Sequence, residues 1–241
     1  NHVTKRQQGF TLIELLLAMS FVSLLLMAIT VTVIQITNIY TKGLTMKTVN
    51  QVGQTVSQDI RRSIEATRPL DLGSTAAGGA NYRPSILAGG DLNNPEGGRL
   101  CTGSYSYIWN NGKTLATPVN KYNESSDLIR LVKVPDSGAL YCNDPTRPVD
   151  RALAIEMLNT GDRELAVQSF TIKAVAVNSS LQQALYQISL EIGTNDRDAL
   201  EQLTTLDTSC RPPAEAQGLR DYCAVNKFEF TARAGNTGGG R

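Results

Sequence analysis

The chain has 241 residues, with 23 Lys plus Arg against 22 Asp plus Glu and a formal charge of +1. So even a balance offers no polybasic field for gripping nucleic acid. The single histidine, His2, leaves no material elsewhere for histidine-based triads, histidine-ligated zinc or imidazole acid–base chemistry. Mean hydropathy is that of an ordinary soluble protein, and the average conceals one strongly apolar run.

That run reads LLLAMSFVSLLLMAITVTVI from Leu15 to Ile34, without a charge. At ~1.5 Å per residue it spans roughly 30 Å, the thickness of the bilayer hydrocarbon. It is too long for the core of a secretory signal peptide and continues into VIQITNIY rather than ending at small residues. Lys5 and Arg6 precede the run and Lys42 and Lys47 follow it, so flanking charge alone sets no orientation. No proline occurs before Pro69, and Val49, Val52, Val56, Ile60 and Ile64 recur at three- and four-residue steps, the spacing of one helical face. Asn50, Gln51, Gln54, Ser57, Asp59, Arg61 and Arg62 form the solvated side, and Gly43 and Gly53 are soft points. The pattern predicts one helix from about Thr11 to Ala66, roughly 85 Å long, apolar all round in its first half and striped in its second.

The junction ahead of the run reads Lys5-Arg6-Gln7-Gln8-Gly9-Phe10-Thr11-Leu12-Ile13-Glu14. It closely resembles the cleavage and assembly signal of type IV prepilins and their pseudopilin relatives. The resemblance implies that a prepilin peptidase cuts after Gly9, that the new amino-terminal Phe10 is N-methylated, and that Glu14 stands fifth in the processed chain. It also implies a partner for Glu14. A carboxylate in a membrane helix costs ~2.5–3.5 kcal/mol near the centre and less near the end. The Phe10 ammonium of a neighbouring subunit would neutralise it and set axial register. Removal of the leader would take away His2, Lys5 and Arg6, turning the charge from +1 to −1.

Beyond the stripe, Arg68-Pro69 ends the helix. Residues 70–98 read as loop, rich in glycine. Strand signals follow at 100–110, 127–134, 165–177, 184–193 and 226–234, with alternation clearest in Ile188-Leu190-Ile192 and Phe228-Phe230. The connection at 194–222 carries TNDRDALEQL, which reads as the start of a short capped helix. Helix first and antiparallel strands after it give an α+β class: a pilin-like fold with a long amino-terminal helix packed on an antiparallel β-sheet head. The divisions are a leader at 1–9, a membrane-spanning and fibre-core helix at 10–40, a helix packed on the head at 41–68, and an extracellular head at 69–241.

Four cysteines, Cys101, Cys142, Cys210 and Cys223, lie beyond the apolar run with no C-x-x-C pair. Outside the cytoplasm they read as two disulfides, with three connectivities open. Cys101–Cys142 with Cys210–Cys223 is the expected pairing, since each closes a segment between neighbouring strands. The second also resembles the disulfide-bounded carboxyl-terminal loop of many pilins. Tyr105, Tyr107 and Trp109 share a strand face, which either stacks on a surface ligand such as carbohydrate or DNA or covers the helix. Asn195, Asp196 and Asp198 have oxygen ligands at calcium-like spacing, but no glycine and distal glutamate complete a calcium loop, so a solvated cap is the expected role. No phosphate-binding loop and no G-x-S-x-G elbow occurs.

The resemblance therefore implies no catalysis, no cofactor and no metal. It implies a subunit extracted from the cytoplasmic membrane into an extracellular helical fibre, with other pilin subunits, the prepilin peptidase and the pilus assembly platform as partners. The large, loop-rich head is similar to minor pilins and J-type pseudopilins at or near a fibre tip, which prime assembly or present an adhesive surface. A pseudopilin of type II secretion or DNA uptake is the alternative within the family. An uncleaved, signal-anchored surface receptor or adhesin is the alternative outside it.

Overall fold

The structure is a computed structural model that describes residues 11–73, 78–85, 95–124, 126–158, 164–196, 198–202, 208–211 and 222–235. Its first element, α1 (Leu12–Glu65), runs for 54 residues, about 80 Å at the α-helical rise. Thr11 caps it with extended backbone, and its side chain and that of Glu14 bond reciprocally to each other's main-chain N–H, a capping box. At the other end Ala66 donates to the Arg62 carbonyl at 3.1 Å before Arg68-Pro69 prevents continuation.

Five strands, β1 (Tyr82–Ser85), β2 (Gly97–Cys101), β3 (Tyr105–Asn110), β4 (Leu131–Pro135) and β5 (Ile155–Glu156), form an antiparallel sheet in chain order. The sheet turns through a 3₁₀ segment at Gly112–Thr114 and a short helix, α2 (Leu140–Asn143). A second sheet has the order β10-β7-β6, built from β6 (Leu165–Asn178), β7 (Gln183–Thr194) and β10 (Val225–Ala234). Between β7 and β10 the chain makes a small ladder of β8 (Leu200–Gln202) and β9 (Thr208–Cys210). This is the α+β architecture of a long helix followed by antiparallel sheet.

The run at 100–110 is two strands rather than one. Gly103 adopts φ +88°, and Thr102 N–H donates to the Tyr105 carbonyl at 2.8 Å, closing a hairpin between β2 and β3. The loop expected at 70–98 contains β1, an edge strand in which Pro84 is tolerated because only β2 pairs with it. The helix expected in TNDRDALEQL is also absent from the described residues: Leu200–Gln202 is a strand. There the backbone bonds go across the chain, Arg211 N–H to the Ala199 carbonyl at 2.8 Å, and the arginine side chain reaches the Leu200 carbonyl at 2.8 Å.

The main core lies between α1 and the two larger sheets. Val49, Val56, Ile60 and Ile64 meet Leu100, Tyr107, Trp109 and Leu131 of the five-stranded sheet and Ile188, Leu190 and Ile192 of the three-stranded one. The opposite face of the five-stranded sheet is also covered. Ile108, Val132 and Val134 pack there with Tyr122, Ile129, Tyr141 and Val149 from the connections. Cys101–Cys142 and Cys210–Cys223 are the two disulfides. The first pins α2 to the end of β2; the second ties β9 to the chain entering β10. Arg99 is 2 % exposed on this covered face. Its Nε donates to Asn120 Oδ1 at 2.9 Å and its Nη1 to the Tyr141 and Asp144 carbonyls, each at 3.1 Å. Desolvation brings its pKa down to about 10, against the pull of Asp144, so it stays charged at neutral pH.

Candidate functional site

Residues 11–40 are exposed along their whole length. Leu12, Ile13, Leu16, Leu17, Phe21, Leu24 and Met27 all point into open space, Leu12 at 76 % exposure. Among the described residues this is the one helix long and apolar enough to cross a membrane. Several of its hydroxyl side chains bond back to the helix's own carbonyls. The hydroxyls of Ser23, Thr30, Thr32 and Thr37 each donate to the carbonyl four residues back at 2.8–2.9 Å, and that of Ser20 to the carbonyl three back at 2.9 Å. No hydroxyl donor among these is left without a partner.

At the start of the helix Glu14 turns back on Thr11. The Thr11 N–H donates to Glu14 Oε2 at 3.0 Å, its hydroxyl to the same oxygen at 2.8 Å, and Glu14 N–H to Thr11 Oγ1 at 3.3 Å. A carboxylate on the first turn meets the positive end of the helix dipole as well as these donors. Gly9 and Phe10, expected at the processing site, lie outside the described residues, as do His2, Lys5 and Arg6.

The second half of the helix is positioned by what it packs on. The expected stripe is present: Val49, Val56, Ile60 and Ile64 are buried and Val52 is half-buried. Thr45 and Gly53 join it, and neither is visible in apolar spacing. Gly53 is a close approach and not a soft point, since a Cβ there would stand 2.0 Å from the Phe228 ring. Beside the stripe, Asp59 makes a three-bond polar contact between helix and head. Lys133 Nζ donates to both its carboxylate oxygens at 2.9 Å, and the Tyr107 hydroxyl donates to Oδ2 at 2.7 Å. The Ser63 and Tyr107 hydroxyls are 2.6 Å apart. Burial raises the Tyr107 pKa, opposed by its bond to Ser63, so the phenol is a neutral donor here. Arg61 adds a bond from Nε to the Thr231 carbonyl at 2.8 Å.

Of the two readings of the aromatic trio, surface stack or cover for the helix, Tyr107 and Trp109 take the second. Tyr105, Tyr107 and Trp109 do share one face of β3, but Tyr107 and Trp109 are buried at 1 % and 2 % exposure and only Tyr105 reaches solvent. Trp109 lies over Gly98 and packs on Phe170, ring centroids 4.5 Å apart, because the face turns toward α1 and β6. Lys133 Nζ sits 4.1 Å from the Tyr105 ring centroid. No stack for a base or a sugar is displayed. Asp196 and Asp198 form a turn, with Asp198 N–H bonded to Asp196 Oδ1 at 3.2 Å. Among the described residues no group of three or more His, Cys, Asp or Glu side chains could hold a metal ion.

Sequence reasoning missed the Asp59–Lys133–Tyr107 cluster. Its signals were available: Lys133 shares a strand face with Leu131, and Asp59 and Ser63 stand beside the stripe at helical spacing from Val52 and Val56.

A family model described as the prokaryotic N-terminal methylation motif matches residues 4–34. That motif is characteristic of type IV prepilin-like proteins, whose precursors are membrane-anchored and cleaved by prepilin peptidase before joining other pilins. No curated protein and no solved structure matches the chain.

Proposed function

We propose that this chain is a structural subunit of a type IV pilus, made as a membrane-held prepilin and drawn into a helical fibre without catalysis of its own. The carrying observation is the continuity of α1. One unbroken helix leads from a methylation motif through an all-round apolar, uncovered half into a half clamped on the head. An uncovered apolar surface of that size is unstable in water and is satisfied by lipid before assembly and by neighbouring helices after it. Cleavage after Gly9 frees Phe10, whose methylated ammonium pairs with Glu14 of a neighbour. The Thr11 bonds hold that carboxylate at the helix start, where an incoming amino terminus has to arrive. We further read the size of the head as that of a minor subunit at or near the fibre tip, acting in priming or adhesion.

Amino-terminal mass spectrometry of the protein from its native cell tests the reading. A chain beginning at N-methyl-Phe10 is the expected product. An intact leader with His2, Lys5 and Arg6 would overturn it in favour of a permanent surface anchor. Glu14→Ala should still insert in the membrane but enter sheared fibres poorly, and normal incorporation would refute the register role. A low ratio of this chain to the main fibre subunit in sheared material is expected of a minor pilin.

A further inference from the structure

The turn that joins β6 to β7 lies at the far end of the head from the uncovered half of α1. Asn178 pairs with Gln183, residues 179–182 make the turn, and Gln182 adopts φ +51°, the left-handed position of a four-residue hairpin loop. Gly235 locates the turn. Its N–H donates to the Thr67 carbonyl, just past α1, at 2.8 Å, and a Cβ on it would stand 2.0 Å from the Gln182 carbonyl oxygen. Every residue from 173 to 182 is exposed.

The turn carries Asn178-Ser179-Ser180, the N-x-[ST] acceptor pattern for asparagine-linked sugar. Alone that spacing arises often by chance; here the folded turn brings its first and third residues together. Ser180 Oγ donates to Asn178 Oδ1 at 2.7 Å, and Leu181 N–H donates to the same oxygen at 3.0 Å. A main-chain N–H can only donate, so the engaged atom of the amide is Oδ1 and the other is Nδ2. Among the described residues Nδ2 has no partner. Both donors draw electron density toward Oδ1, which makes an Nδ2 proton easier to remove. The pattern also occurs at Asn123-Glu124-Ser125. There Ser125 lies outside the described residues, and Asn123 Oδ1 accepts from Glu124 N–H at 3.0 Å.

The strand below the turn supplies a second, independent reason for a sugar here. β6 is an edge strand of its sheet. Its last residues and the turn hold Val175, Val177 and Leu181, each more than half exposed, and a single charge, Lys173. Such an edge is a template for pairing with other chains, and that lysine and a register shift between Ala174 and Ala176 blunt it only in part. A bulky, hydrated group at its end keeps other strands away. We propose that Asn178 is a glycosylation site, modified by a transferase that uses a glycosyl diphosphate. Nδ2 attacks the anomeric carbon of the sugar. The new N–C1 bond forms as the C1–O bond breaks, its electron pair leaves with the diphosphate, and one Nδ2 proton passes to a base of the transferase. The sugar requires no contact within a fibre, so the assignment stands or falls apart from the pilus reading.

The test is tandem mass spectrometry of the full chain purified from its native cell and digested with trypsin, with fragmentation that keeps sugars attached. The peptide 174–197 should carry a sugar mass on Asn178 in most copies. Asn178→Gln and Ser180→Ala should lower occupancy at least tenfold, and Ser180→Thr should retain it, since a threonine hydroxyl serves the same pattern. Both positions are exposed, so cooperative unfolding of the head, read by the buried Trp109, should persist in all three variants. An unmodified 174–197 peptide in native material, a sugar on Ser179 or Ser180 instead, or full occupancy in Ser180→Ala would overturn the assignment. The amino terminus is read from the same sample, so a bare Asn178 beside N-methyl-Phe10 fails this assignment alone.

Discussion

The two halves of α1 obey the same backbone rules and have opposite relations to the rest of the molecule. Residues 12–40 are predominantly apolar all round and exposed along their length; residues 41–65 are mostly polar, yet six of them, Thr45, Val49, Gly53, Val56, Ile60 and Ile64, are buried. Hydrophobic content is therefore a poor guide to which half holds the fold together. A helix uniformly apolar has no preferred side and suits a uniformly apolar solvent. One with a single apolar stripe specifies both the face it buries and the direction from which the head must dock.

The sharpest way to break this contrast is to shave the same kind of side chain from each half. Ile60→Ala should cost the head about 2–5 kcal/mol, as buried truncations do. Leu25→Ala should leave head unfolding within about 0.5 kcal/mol of the parent. The single tryptophan, Trp109, is buried in the head and reports both in denaturant titrations of the full chain in micelles. Equal losses would mean the halves are not independent.

The two helical glycines give a smaller version of the comparison. Gly53→Ala drives a methyl into the Phe228 ring and should cost about 1–3 kcal/mol. Gly43 has nothing within 4 Å of an added Cβ, so Gly43→Ala should gain up to about 1 kcal/mol of helix stability. Smaller again is the polar clamp. A double-mutant cycle with Asp59→Asn and Lys133→Met should give a coupling of about 1 kcal/mol, because the pair is only partly exposed, side chains at 32 % and 17 %. The outlying Arg151–Asp127 pair, with side chains at 48 % and 60 %, should couple by only about 0.2–0.5 kcal/mol.

The smallest expected effect is one of pH and belongs wholly to the head. Burial raises the pKa of Glu156, although the Leu131 and Leu158 N–H groups, donating to its Oε1 at 3.1 and 3.3 Å, hold it down in part. A raised carboxyl pKa means that the folded chain binds the proton more tightly than the unfolded one. Its contribution is fully present below the unfolded value of about 4.3 and is lost as pH rises through the folded value. Glu156→Gln should therefore unfold at higher denaturant than the parent at pH 7, with the gap closing below about pH 4. Far-ultraviolet signal from the uncovered half of the helix should not move with it.

Much of this layout is legible in local sequence. Thr11 and Glu14 mark where α1 begins and Arg68-Pro69 where it must stop, because capping and proline act within a few residues. The alternation around Ile188-Leu190-Ile192 marks β7 for the same short-range reason. The errors lie where a distant partner decides. DALEQL is made of good helix formers, but Arg211 takes the Ala199 and Leu200 carbonyls and the neighbouring disulfide draws the segment into a ladder. Alternation through Tyr105, Tyr107 and Trp109 shows that the three share a face; it cannot show that α1 and Phe170 will lie against it. At the helix start, the motif residues were readable as a unit. The bonds from Thr11 to the Glu14 carboxylate emerge only from the folded turn.

By itself, then, the sequence determined the long helix, the α+β class and the methylation signal, all of which rest on near neighbours along the chain. Tertiary structure decided which faces are covered, why Gly53 must lack a side chain and how Lys133 finds Asp59. Those outcomes depend on segments that meet after folding. Residue spacing carries the period of a side chain's direction, but burial depends on what arrives from elsewhere to cover it.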